Sequence, residues 1–292
     1  MPRILCILLL SAAAWAQTDP AALLEAKTLA ELRRFDEGFE GALGVAAIDL
    51  STGHSFALHG DTVFAQASVI KIPILVRMFQ AERGGDFRLT DKVTLAPQDA
   101  VGGSGRLQFT LKNGPVTLTV RELLTAMIVD SDNTATNQCI RMAGMARVNR
   151  MMDEHGFPAT RLRRAMMDGA AALRDDENTS TPNEMARLVE QIYRAKIVDK
   201  EASREIIDIM KRVNGGFREG LPPDTPTAVK TGQIPGVRGE TGIVFLPGRP
   251  FVLSVMSAFI DDRHTPVPEA TRTVYRMFEL LARSNRYGHR VR

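Results

Sequence analysis

Two regions near opposite ends of the chain alternate apolar and polar positions with the period of strands. The first, "GALGVAAIDLSTGHSFALHG" (Gly41 to Gly60), breaks at a Ser-Thr-Gly turn and predicts a hairpin. The second, "GETGIVFLPGRPFVLSVMSAFI" (Gly239 to Ile260), predicts two strands joined through Pro247-Gly248-Arg249-Pro250. Between them the apolar spacing is helical. "TVRELLTAMIVD" places Thr119 three residues before Glu122, a capping-box start, and "TPNEMARLVEQIYRA" repeats the device with Thr181, Pro182 and Glu184. "KEASREIIDIMKRV" is a further amphipathic helix, and "EATRTVYRMFELLARSN" from Glu269 predicts a closing one.

This order of elements predicts an α+β fold. An antiparallel sheet, built from both chain ends and flanked by helices, takes an inserted all-helical lobe. Residues 17–64 and 206–292 are assigned to the α/β lobe and 65–205 to the helical one, with a cleft between them as the expected site.

The first sixteen residues, "MPRILCILLLSAAAWA", have a charged start at Arg3, an apolar run from Ile4 to Leu10 and a small-x-small end at Ala14-Trp15-Ala16. They predict a secretory signal at 1–16 and a periplasmic or secreted mature chain, 17–292. The apolar run is shorter than the roughly 20 residues of a membrane span, and Cys6 lies inside it, so no stable membrane or lipid anchor is expected. Cys139 is then the one cysteine left, which excludes an intramolecular disulfide. Apolar residues make up 44% of the chain, enough for a substantial core. The net charge is only +3 from 37 basic and 34 acidic residues, with "RLRR" (Arg161 to Arg164) the densest cluster, so no nucleic-acid partner is expected. Five scattered histidines lack metal-ligand spacing, so no metal and no cofactor is expected.

Three short motifs carry candidate chemistry. "ASVIKIP" sets Ser68 three residues before Lys71; on a helix starting at Ser68 both side chains share a face, a hydroxyl beside a base. Alone, a Ser-x-x-Lys arises by chance in a chain of this length. "VDSDNTATN" holds Ser131-Asp132-Asn133, either a polar helix end or a proton relay at Ser131 with an amide-binding Asn133. "AVKTGQ" holds Lys230-Thr231-Gly232, either a lysine-guarded edge strand or an anion-binding strand whose glycine admits a close backbone approach.

The three motifs in this order and at wide spacing are the set of the class A β-lactamases and penicillin-binding proteins. With "TVRELLTAMIVDSDNTATN" and "TPNEMARLV", they make nearly the whole mature chain resemble the class A serine β-lactamases and their transpeptidase-like relatives. The resemblance implies a hydrolase that opens β-lactam rings through an acyl-serine. Ser68 would be the nucleophile, Lys71 would share in removing its proton, Ser131 would pass a proton to the leaving nitrogen, and Lys230 would keep the local potential positive. Asn133 would hold a substrate amide, and Thr231 the substrate carboxylate with Arg238 as a second cation. The oxyanion would lie between the backbone N–H groups of Ser68 and Gln233, beside Gly232. The implied substrate is a small β-lactam or a D-Ala-D-Ala-like molecule, met by a monomer.

One feature departs from the resemblance. The family carries a Glu-x-x-x-Asn pattern in the loop before the Thr-x-Thr-Pro helix start, its Glu activating the water that releases the acyl group. Counting back without gaps from Thr179-Ser180-Thr181-Pro182 puts those positions on Ala165 and Gly169. The nearest carboxylate, Asp168, either replaces the missing base or salt-bridges Arg163 or Arg164. Asp175, Asp176 and Glu177 are further candidates for that base, read rather as a solvated acidic run approaching a helix, of which Asp176 or Glu177 could equally close the loop onto the arginine cluster. A chain without a deacylating base would acylate and stall, so a D-alanyl-D-alanine peptidase and a slow-releasing penicillin-binding or sensing module stand as alternatives to a turning-over β-lactamase.

Overall fold

The computed structural model describes residues 19–261 and 264–291. The proposed signal segment lies outside them. A helix α1 (Pro20–Gly38), capped by Asp19, precedes the predicted hairpin, β1 (Ala42–Asp49) and β2 (Ser55–Leu58). The apolar pattern did not reveal α1, because little of it is buried: Thr28 and Leu32 are its only fully buried residues. A short strand β3 (Phe64–Ala65) leads through a 3₁₀ turn at Ala67–Ile70 into α2 (Lys71–Arg83). The helical part continues with β4 (Lys92–Leu95), α3 (Leu107–Thr110), β5 (Val116–Thr119), α4 (Val120–Val129), α5 (Asn133–Ala143) and α6 (Met145–Glu154). It then passes through α7 (Gly169–Ala172), β6 (Thr179–Ser180), α8 (Pro182–Tyr193) and α9 (Lys200–Met210). The chain closes with α10 (Phe217–Gly220), three strands β7 (Thr227–Ile234), β8 (Val237–Val244) and β9 (Phe251–Ala258), and α11 (Val267–Ala282).

The main sheet has the order β2-β1-β9-β8-β7 and is antiparallel throughout. The strands from the two chain ends meet at β1 and β9, where Ala42 to Asp49 run against Ala258 to Phe251. All but one residue of β1 is buried, so both faces are covered. That explains why its alternation is weak and its composition continuously apolar. Helix α8 packs on β1, β8 and β9, while α11 contacts β8 and β9. Phe278 of α11 stacks on Phe251 with ring centroids 4.2 Å apart. The inserted part is mainly helical but holds two small ribbons, β3 with β6 and β4 with β5. Helix α9 runs unbroken through 206, so the helical part ends at Met210 rather than at 205.

The capping signals in the sequence act differently at the two helix starts. At α4, Thr119 accepts from the Glu122 N–H and Glu122 Oε2 accepts from the Thr119 N–H at 2.7 Å, a reciprocal box. At α8, Thr181 caps Glu184, but the Glu184 carboxylate turns away to take the Ala159 N–H at 2.9 Å and the Thr160 hydroxyl at 2.7 Å. It anchors the entry to the loop of residues 161–178.

That loop is tied shut at its base. Asn178 Oδ1 accepts from the N–H groups of Arg163 and Arg164, and its amide donates to the Arg164 carbonyl. Arg164 Nη2 donates to both oxygens of Glu177 at 3.0 and 2.9 Å. Of the two ways the acidic run could meet the "RLRR" cluster, Glu177 with Arg164 is the one realised; Asp176 pairs with Arg174. Further in, Asn137 of α5 clamps the loop backbone twice, accepting from the Met166 N–H at 2.8 Å and donating to its carbonyl at 3.2 Å. Replacing that carboxamide leaves two loop backbone groups without partners, at about 1–3 kcal/mol each where water cannot reach them. Asn137→Ala is expected to lower the urea unfolding midpoint and speed amide exchange at 165–170; unchanged exchange there would refute the clamp.

Candidate active site

Ser68 sits in the 3₁₀ turn, one turn before α2, rather than in the first turn of the α-helix itself. The turn is entered through Ala67, whose φ of +43° is a left-handed conformation that a non-glycine residue holds only when its surroundings impose it. What imposes it is the edge strand β7, which packs along this turn. A Cβ on Gly232 would come within 2.7 Å of the Gln66 carbonyl oxygen and 3.1 Å of the Ser68 nitrogen. The close backbone approach expected of Gly232 is therefore real, and its partner is the segment that carries Ser68.

Lys71, on the first residue of α2, is wholly buried. Its Nζ donates to the Ser131 carbonyl at 2.7 Å, the Ser131 hydroxyl at 3.1 Å and the Asn133 carboxamide oxygen at 3.1 Å. Lys230, also wholly buried, reaches the same Ser131 hydroxyl from the sheet side at 3.2 Å and the Thr231 carbonyl at 3.0 Å. Ser131 makes this possible by turning the chain between α4 and α5 with a φ of +52°. One hydroxyl thus bridges two buried amines, 60 and 99 residues away in sequence.

Burying both amines disfavours their charged forms. The Lys71 amine is held well below the ordinary lysine range, chiefly by burial and then by the Lys230 charge, with Asp132 opposing. Burial pulls Lys230 down to about 8, with Glu240 opposing. A neutral Lys71 keeps two N–H donors for the Ser131 carbonyl and Asn133 and presents a lone pair to a hydroxyl proton.

Asp132 ties the start of α5 to the loop that leads into α3. Its carboxylate accepts from the Ala135 N–H, capping α5, and from the Leu107 N–H. The approach leaves no room for a side chain at Gly105, where a Cβ would lie 2.1 Å from Asp132 Oδ2. This shapes the Gly102 to Leu107 loop, on which Asn133 donates its amide to the Gly102 carbonyl at 2.9 Å.

A cleft of about 440 Å³ opens onto Ser68, Asn133, Gln233 and Asp168, with Met166 and Met167 on its loop side. Ala165, where the ungapped count puts the family's glutamate, is not on its wall; the loop residue that Asn137 positions there is Met166. Asp168 caps α7 through the Ala171 N–H at 3.0 Å and makes no salt bridge with Arg163 or Arg164. Glu177 also lines the cleft, but both of its oxygens are engaged by Arg164. Arg238 stands opposite Gln233 in the β7–β8 register, and the Gln233 carboxamide oxygen accepts from both of its terminal nitrogens at 2.7 and 2.8 Å. Cys139 is buried and its thiol is pushed up to about 12 by burial, so it is inert.

The structure therefore gathers Ser68, Lys71, Ser131, Asn133, Lys230, Thr231, Gly232 and Gln233 at one junction of turn, helix and edge strand. Sequence reasoning passed over Asn137 and Glu240. Asn137 carried a signal in its i+4 spacing from Asn133 on one helix, and Glu240 in being the single acid of an apolar strand.

Comparison with known proteins agrees with this geometry. The Beta-lactamase enzyme family matches residues 26–277. "Beta-lactamase 1" of Streptomyces cacaoi is 30% identical over 255 residues, covering 78% of this chain and 75% of its own. Among solved structures, an ancestral class A β-lactamase superposes with a TM-score of 0.78 at 28% identity, covering 86% of this chain and 100% of its own. A glutamate-for-leucine mutant of PBP-A, solved as an acyl-enzyme complex with penicillin G, superposes with a TM-score of 0.78 at 30% identity, covering 88% of this chain and 97% of its own. With the match running through sheet, turn and helical part alike, the chain belongs to the β-lactamase enzyme family.

Proposed function

We propose that Ser68 opens the β-lactam ring, and that the Ser131 hydroxyl held between the Lys71 and Lys230 amines is the observation that carries the mechanism. Lys71, neutral because it is buried beside a second cation, takes the Ser68 proton as the oxygen attacks the lactam carbonyl. The oxyanion that forms is met by the N–H groups of Ser68 and Gln233, whose two segments Gly232 lets approach; one such donor is worth about 2.7–4 kcal/mol of barrier. As the C–N bond breaks, Ser131 gives its proton to the ring nitrogen and is reprotonated from the lysines on either side. Lys230, in its ammonium form, holds the positive potential that draws in the substrate carboxylate. Thr231 hydrogen-bonds that carboxylate, Arg238 stands by as the second cation, and Asn133 holds the side-chain amide.

Release of the acyl group needs a base for water. Two carboxylates line the cleft, and Glu177 is spent on Arg164. Asp168 is the base in this reading. One of its oxygens caps α7, while the other makes no hydrogen bond or ion pair among the described residues. The charged start, apolar run and small-x-small end of residues 1–16 support a periplasmic or secreted enzyme; no helix among the described residues is long and apolar enough to cross a membrane.

Two substitutions test separate halves of this reading. Ser68→Ala is expected to abolish covalent labelling by a fluorescent penicillin, and labelling that persists at another residue would remove the nucleophile. Asp168→Asn is expected to keep the stoichiometric burst of nitrocefin opening while steady-state turnover falls about 10²–10⁴-fold, the usual loss for a general base. Steady-state turnover that matches the parent protein would strike Asp168 from the mechanism.

A further inference from the structure

The acylation steps leave Met167 unused, yet its backbone is held in a costly conformation. Its φ of +63° lies in the left-handed region, which a residue with a long side chain holds only when its surroundings impose it. Both neighbours are fixed: Met166 by the Asn137 clamp, and Asp168 by its cap on α7. The Met167 carbonyl accepts the Gly169 N–H at 3.0 Å, so the backbone bulges between these anchors and sets the side chain on the cleft wall. There the thioether reaches the Gly102 to Leu107 loop. A Cβ on Gly103 would lie 3.0 Å from Met167 Sδ and 2.8 Å from Asn133 Nδ2. A single point above Gly103 is thus approached by the sulfur of one loop and by the Asn133 amide.

This sulfur is also the one an oxidant reaches. Met167 is 60% exposed and is the one exposed methionine among the described residues. Its neighbour Met166 is buried, Met142 and Met145 are partly buried against the core, and the other described methionines lie within it. The competing thiol, Cys139, is buried and pushed up to about 12, so its reactive thiolate is scarce. With a hydroperoxide, the Met167 sulfur lone pair attacks the terminal peroxide oxygen. An S–O bond forms as the O–O bond breaks, the sulfur is oxidised by two electrons, and the departing oxygen takes the proton and leaves as water or an alcohol. The product is a sulfoxide, a polar group that reductases convert back to the thioether. The contact with Gly103 leaves no space for the added oxygen between them. A hydrated sulfoxide also wets a wall that Met166, Ala172, Ile234 and Pro235 otherwise make apolar.

We propose that Met167 is a methionine-oxidation site at the mouth of the cleft: the thioether closes the cleft against Gly103 and seats an apolar substrate side chain, and its sulfoxide undoes both. This rests on the reading of Asn133 as the holder of the substrate's side-chain amide, because the group beyond that amide then passes Met167. A β-lactam with an aromatic side chain loses a thioether contact on oxidation. A penicillin nucleus without its acyl side chain has no such contact to lose.

The test exposes the protein to a small excess of hydrogen peroxide, removes the peroxide by desalting, and compares it with untreated protein. Peptide mass spectrometry is expected to find the first added oxygen on Met167, and the Gly103 amide resonance is expected to shift in the singly oxidised protein. The second-order rate of labelling by a fluorescent penicillin with an aromatic side chain is expected to fall about two- to tenfold, and to recover after treatment with methionine sulfoxide reductases. The bare penicillin nucleus, read as a competitor in the same assay, is expected to react at an unchanged rate. Met167→Leu, similar in volume and without sulfur, is expected to label equally before and after peroxide, whatever its starting rate. A first oxygen on Met142 or Met145, an unmoved Gly103 resonance, an equal fall for the bare nucleus, or a Met167→Leu protein that loses labelling as the parent does would each overturn the inference. If the parent protein is not labelled at Ser68 at all, it is the acyl-serine mechanism that fails, since the site of the first oxygen and the Gly103 resonance still decide the role of Met167.

Discussion

Two lysine side chains without solvent exposure meet at one serine hydroxyl, and the rest of this structure is arranged to keep them there. Like charges in a desolvated space repel, so the arrangement persists only because rigid elements over-determine it. Lys71 comes from the first residue of a helix, Lys230 from the middle of a sheet's edge strand, and Ser131 from a left-handed turn between two helices. No single element could present all three. The fold supplies the convergence by threading a helical part between strands from the two chain ends, so that the edge of the sheet closes on the turn that bears Ser68, just ahead of the helix that bears Lys71. The cost of burial becomes a chemical asset: an amine that is easily neutral beside a hydroxyl is a base at ordinary pH.

The same logic accounts for the carboxylates. Asp132 and Glu240 are each bonded by two backbone N–H groups and each pressed against a glycine that admits it, Gly105 and Gly215. They are fixed parts of the frame. The loop across the cleft is organised by a different set: Glu184 at its entry, Asn178 and the Arg164–Glu177 pair at its base, and Asn137 at its tip. Those contacts hold the backbone in place whatever side chain the loop presents. The chain presents methionines at 166 and 167, then Asp168, so the acylating half of the site is built independently of the half that must bring in water.

Much of this was legible in the sequence. The hairpin, the closing strands, the capped helices and the three motifs depend on local spacing, and local spacing is what a sequence displays. The family resemblance then joined Ser68, Lys71, Ser131 and Lys230 across long distances that periodicity alone cannot bridge. What stayed hidden depends on contacts between distant segments. The clamp of Asn137 on Met166 shows that the loop's position in the cleft is set by a hydrogen bond from α5, which counting back from Thr179 cannot register. Glu184, spaced for a reciprocal cap, instead serves Ala159 and Thr160, because a buried carboxylate goes to the donors that tertiary packing brings to it. The nucleophile's turn is 3₁₀ rather than α because β7 presses on it through Gly232, and nothing in "ASVIKIP" encodes the strand's approach.

The account stands on Lys71 being a readily neutral amine in the resting protein. Its most direct measurement is a ¹³C–¹H NMR titration of the Lys71 side chain, assigned by comparison with Lys71→Arg. The account predicts a midpoint well below the ordinary lysine value of 10.5. A midpoint at or above that value would show that the amine keeps its proton beside Lys230, and a base at that position would be contradicted.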